Sequence, residues 1–207
     1  MKKIESWKDI TVGQLIEIRK LNIENNADSI ATQSALIRIL YGENAENLSF
    51  VDYMDKVMEI SNALNSPLKG EYKAEFELGG IEFKAKPIEE FSTREFTDFD
   101  TLARENNDEN LPMLLALIYW GSDDVGYDND HYVDCIRAKA EFLKDLDAVT
   151  AVGAVGFFTN ALLAYLNNTI LSSEAARTMI ESNPKMKEQM KVLRDFLDGV
   201  GTSPSMN

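Results

Sequence analysis

The chain has 207 residues, 35 of them acidic and 21 basic, which leaves a net charge of −14 and a pI near 4.5. That balance argues against binding to nucleic acid, because no excess cation is available to replace counterions on a phosphate backbone, and against docking on an anionic membrane. A single cysteine, Cys135, excludes an internal disulfide or a cysteine-rich zinc site, and a single histidine, His131, leaves metal and histidine-based acid–base chemistry poorly supplied.

Hydrophobic residues make up 44% of the chain, enough to fill a core, so the charge does not signal disorder. Glu5 and Asp9 stand where a secretion signal would need its apolar stretch, so the expected setting is a reducing compartment.

Thr11 followed by Gln14 has the form of a capping box and opens a helix with Val12, Leu15, Ile16 and Ile18 inward. Asp28 reads as the N-cap of a second helix running to Tyr41, with Ile30, Leu36, Ile37 and Leu40 inward and Gly42 as its stop. Ser49 and Asp52 open a third, which carries Val51, Met54, Val57, Met58 and Leu64 and ends before Pro67. Residues 1–66 thus form an N-terminal helical unit.

The period then changes from helical to two. Tyr72, Ala74, Phe76 and Leu78 alternate with charged residues, and after Gly79-Gly80 so do Ile81, Phe83 and Ala85. Two glycines between alternating runs predict a β-hairpin over about 71–86, because both central positions of a type I′ turn need positive φ. The register sets Phe76 opposite Phe83 and Glu75 opposite Lys84, with Glu77 opposite Glu82 as a local cost. A lone hairpin is marginal in water, so its aromatic face must lie on helices.

Residues 67–90 are read as the hairpin unit and 91–172 as a central helical core. Ser92 and Glu95 form another capping box, before Phe96, Phe99 and Leu102. Residues 104–110 read as a loop, and Leu111-Pro112 starts an apolar helix reaching Trp120. Asp130 caps a helix with Val133, Ile136, Ala140 and Leu143, and Asp147 caps a long uncharged one through Leu166. Polar interruptions in that uncharged stretch favour a buried core helix over a membrane span. The fold class is mainly α, with a single β-hairpin insertion.

Residues 173–207 form a C-terminal unit. After a short helix near 173–182, Pro184 starts an amphipathic helix in which Met186, Met190, Leu193 and Leu197 recur at spacings of four, three and four. That stripe packs on its own core or docks on another chain, and methionines suit either.

Motifs that carry chemistry are scarce. The acidic loop 123–130 lacks the closing glutamate of an EF-hand and reads as a solvated cap. His131 and Cys135 share a helical face but lack an orienting group. Gly153 and Gly156 have neither a preceding strand nor a following Lys-Ser/Thr, so they read as places where a neighbouring helix comes close. No catalytic residue, metal ligand or cofactor is expected.

The opening Glu5-Ser-Trp7-Lys-Asp-Ile-Thr11 phrase and the helix after it resemble the start of a group of tailed-bacteriophage proteins. So do, in order, the hairpin, Ser92-Thr-Arg-Glu95-Phe96, the aspartate-rich loop and the apolar helix 149–166. The resemblance spans about residues 5–170, to tail-assembly-chaperone-like proteins of phages, many infecting Bacteroides-type hosts. It implies a non-enzymatic factor in the host cytoplasm that holds tail parts such as the tape-measure protein soluble. The alternative is a structural virion protein retained as a ring, adaptor or packaged component. Trp7, Met186, Met190, Leu193 and Leu197 are the expected partner contacts, and homo-oligomerisation stays open.

Overall fold

The computed structural model describes residues 3–21, 29–105, 107–122 and 131–171. The acidic loop 123–130, the caps Asp28 and Asp130, and the expected contacts Met186, Met190, Leu193 and Leu197 lie outside them. Among the described residues there are seven α-helices and a three-stranded antiparallel sheet.

Helix α1 (Val12–Lys20) begins with the expected capping box at Thr11 and Gln14. Its first two N–H groups are satisfied from outside the helix, Val12 by the Leu146 carbonyl and Gly13 by that of Lys144. The same segment pairs Thr11 with Asp147, and the Asp147 side chain accepts from the Thr150 N–H at 2.8 Å to open helix α7 (Ala148–Leu171). The N-terminus is thereby tied to the last described helix. Helix α2 (Ile30–Tyr41) is capped by Ser29, buries Leu36, Ile37 and Leu40, and stops at Gly42. Ile30, expected inward, is exposed, because the first residue of α2 lies beyond the reach of the core.

Strands β1 (Glu75–Leu78) and β2 (Ile81–Ala85) pair in the expected register, Phe76 with Phe83, Glu75 with Lys84 and Glu77 with Glu82. Gly79 and Gly80 take φ of 56° and 84°, the conformation that two side-chain-bearing residues would resist. Phe83 is buried against Phe142, and Tyr72 stacks on Phe157 of α7 at 3.8 Å, so the hairpin's aromatic face does rest on helices.

The structure adds a third strand, β3 (Tyr119–Gly121), paired with β2. Helix α5 (Leu111–Ile118) therefore stops two residues before Trp120. Tyr119 turns into the sheet, where its hydroxyl donates to the Lys73 carbonyl at 2.6 Å and its ring meets Phe76 edge-on.

Helix α4 (Thr93–Arg104) starts from the Ser92/Glu95 box. Glu95 also pairs with Lys86 from the end of β2 at 2.8 Å, with both side chains buried. Phe91, Phe99 and Phe158 gather beside that pair's helix as an aromatic cluster. Helix α6 (Tyr132–Leu143) buries Ile136, Ala140 and Leu143 but exposes Val133.

Helix α7 is apolar enough over Ala148–Tyr165 to cross a membrane by length and composition, and half of that stretch is buried inside the protein. Its Gly153 meets an extended backbone, not a helix: a Cβ there would lie 2.3 Å from the carbonyl carbon of Glu71. Gly156 has no neighbour within 4 Å of such a Cβ, so the expected close approach does not occur there.

Candidate functional site

Helix α3 (Phe50–Leu64) carries the largest concentration of exposed apolar side chains among the described residues. It starts where Ser49 accepts from the Asp52 N–H and donates its hydroxyl to the Asp52 carboxylate at 2.6 Å. It then lies along α2, and the polar contacts run in the same order on both helices. Tyr53 donates to the Gln33 side chain at 2.9 Å, and further along Tyr41 donates to Glu59 at 2.8 Å. Lys56 is buried over the Tyr41 ring at 3.8 Å and pairs with Glu43 at 3.1 Å. Burial first, and then the Glu59 carboxylate, hold the Tyr41 phenol protonated well above its ordinary range.

These contacts fix which side of α3 faces outward. Lys56, Ile60 and Ala63 are buried, and Val57 and Leu64 pack at the margin of the core. At about 100° per residue, Phe50, Met54, Met58 and Val51 then share one outer face roughly 100° wide. Phe50 is 77% exposed, Val51 66%, Met58 57% and Met54 38%. Ile30, 75% exposed, stands at the start of α2, the end at which Gln33 meets Tyr53. Single exposed hydrophobics are ordinary, but a row of them along one helix makes α3 the candidate interaction surface among the described residues. Asp52 and Asp55, both exposed, follow on the adjoining flank, while Glu59 turns to Tyr41, so the face is apolar with an acidic border.

Of the residues expected from sequence to meet a partner, Trp7 is half-buried, and its indole N–H donates to the Ser66 carbonyl at 2.7 Å. It clasps the N-terminal turn to the chain just after α3. The exposed row on α3 is a different surface. Val51, Met54 and Met58 had been assigned to that helix, while Phe50 and Ile30 were not recognised as outward-facing. The available signal was the excess of apolar residues on α3, too many for one inward face.

Among the described residues no group of three His, Cys, Asp or Glu side chains is placed to hold a metal ion. His131 and Cys135 stand exposed at the start of α6. The buried Lys86–Glu95 pair is joined to Ser92, whose backbone N–H and hydroxyl both donate to Glu95 at 2.8 Å. The carboxylate is therefore committed to a helix cap. Burial opposes its ionisation, but the bonds from Lys86 and Ser92 outweigh burial and hold its pKa below the ordinary carboxylate range.

Comparison with protein-family models, with curated proteins and with solved structures finds no match to this chain.

Proposed function

We propose that this protein is a non-enzymatic assembly factor acting by protein–protein contact, and specifically a tail assembly chaperone of the kind its sequence resembles. The observation that carries this reading is the outward apolar face of α3, Phe50, Val51, Met54 and Met58, on a chain of net charge −14. A chaperone must cover apolar surface on its client while staying soluble itself. Flexible thioethers adapt to more than one client shape, and a high net charge opposes self-association. The acidic border adds attraction for clients whose apolar segments are flanked by lysine or arginine. The host cytoplasm is the place where unassembled tail parts need such cover.

The test is co-expression with the tape-measure protein of the same virus. The chain is expected to raise the soluble yield of that protein several-fold. Met54→Asp with Met58→Asp should abolish the gain while leaving the circular dichroism spectrum and melting temperature of the variant unchanged, since both residues are already exposed. Recovery of the chain at fixed, ring-like copy number in purified particles would replace this reading with that of a structural virion protein.

A further inference from the structure

The outer face of α3 is lopsided both across the helix and along it. Across it, the apolar row has acids on one side only. Taken from Phe50, the other apolar residues fall within about 100° of rotation, and Asp55 and Asp52 follow at about 140° and 200°. On the other side Val57 and Leu64 turn in against the core. Both carboxylates are exposed, and among the described residues no lysine or arginine pairs with either. The only cation on α3, Lys56, is turned inward and pairs with Glu43. Along the helix, the apolar row occupies Phe50 to Met58, about 12 Å. Ser61 and Asn62, exposed and neutral, continue the same face. The acids therefore border only the N-terminal half of α3.

We propose that α3 receives a cationic amphipathic helix of a partner protein, docked antiparallel, with the lysines or arginines of its C-terminal half against Asp52 and Asp55. A helix satisfies its own backbone groups. An extended segment laid on this apolar row would instead bury N–H and C=O groups that α3, with its backbone bonded internally, cannot pair. The direction follows from charge. The N-terminus of α3 carries partial positive charge, and Asp52 stands in its first turn. An antiparallel partner brings its C-terminal turns to that end, where cations are favoured by its own dipole and by the two aspartates together. A parallel partner would need its cations in the first turn, where its dipole opposes them. The inference rests on the chaperone reading for calling the bound helix part of a client, while the chemistry it requires is set by α3.

Fluorescence anisotropy with the full chain tests it, using labelled, end-blocked peptides of about four helical turns. The first carries a leucine stripe with lysines on one flank of its C-terminal half. The others move the lysines to the N-terminal half, scatter the leucines off the stripe, or replace the lysines with glutamates. The first peptide should bind several-fold tighter than the second and at least tenfold tighter than the third and fourth. Met54→Asp with Met58→Asp should abolish its binding. Asp55→Lys should cut the preference for lysine over glutamate at least fivefold. Glu89→Lys, an equal charge change at an exposed site in the turn after β2, should leave that preference within twofold. Equal binding of the first peptide and any other, or equal effects of the two lysine variants, would overturn the proposal. The two readings fail separately. If the first peptide binds as expected while co-expression gives no gain in client solubility, the chaperone reading falls and the docking stands. If no peptide binds while Met54→Asp with Met58→Asp still lowers client solubility, the reverse holds.

Discussion

Gly153→Ala should destabilise the protein by about 2–4 kcal/mol, although alanine is the better helix former. In isolation the exchange favours the helix by about 1 kcal/mol. Against that, the new methyl would sit 2.3 Å from the Glu71 carbonyl carbon and 2.4 Å from its nitrogen, while a Cβ on Gly70 would in turn lie 2.3 Å from the Gly153 nitrogen. Two backbones are in contact with no flexible side-chain end to give way. Separating them costs the overpacking strain, about 1–3 kcal/mol. It also breaks the bond from the Glu71 N–H to the Val149 carbonyl, worth about 1 kcal/mol net, and loosens the Tyr72–Phe157 stack, worth about 0.5–1.5 kcal/mol. Gly156→Ala, three residues on, meets nothing within 4 Å and should stabilise by up to about 1 kcal/mol. Urea denaturation of both variants beside the wild type reads the two signs. A Gly153→Ala variant within 0.5 kcal/mol of wild type, or two variants shifted in the same direction, would refute the close crossing of residues 70–71 over α7.

Glu95→Gln should cost about 3–5 kcal/mol, because it leaves the buried Lys86 ammonium without its counter-charge. Since the folded protein holds the Glu95 pKa below its unfolded value, that carboxylate contributes stability fully above about pH 4.3 and loses it as pH falls through the folded pKa. Wild-type urea midpoints should therefore drop more steeply than those of Glu95→Gln between about pH 5 and 3, and parallel slopes would contradict this. Trp7→Phe keeps an aromatic ring but loses the donor to the Ser66 carbonyl, and thermal melts should show a loss of about 0.5–1.5 kcal/mol. The same variant should leave client solubilisation unchanged if the indole acts as an internal clasp, and a lost gain would make Trp7 a client contact.

What could be read from sequence here was what short range decides. The boxes at Thr11/Gln14 and Ser92/Glu95, the stop at Gly42 and the register around Gly79-Gly80 each depend on residues within a few positions of one another. Strand β3 was hidden because Tyr119 and Trp120 continue the apolar run of α5 without a break. What ends the helix is distant pairing, with the Lys86 N–H donating to the Ile118 carbonyl and Tyr119 settling opposite Ala85. Gly153 was legible as a point of close approach, yet the sequence does not say that the approaching backbone is the extended stretch before the hairpin. The candidate site was the least legible part, because hydrophobic periodicity locates a stripe on α3 without deciding how the helix is rolled about its axis.

That roll is decided by polar contacts. Helix α5 buries seven of its eight residues, so apolar burial alone seats it. Helix α3 buries only Lys56, Ile60 and Ala63. Rolling α3 over would hide Phe50, Met54 and Met58, a gain on the order of 1.5–3 kcal/mol for each side chain fully buried. The same roll would break the Lys56–Glu43 pair and the contact of Lys56 with the Tyr41 ring, and would part Tyr53 from Gln33 and Tyr41 from Glu59. It would also bring the exposed Asp52 and Asp55 toward α2, where two carboxylates would lose solvent, at several kcal/mol apiece. The polar contacts thus hold the apolar row outward against its own tendency to be buried.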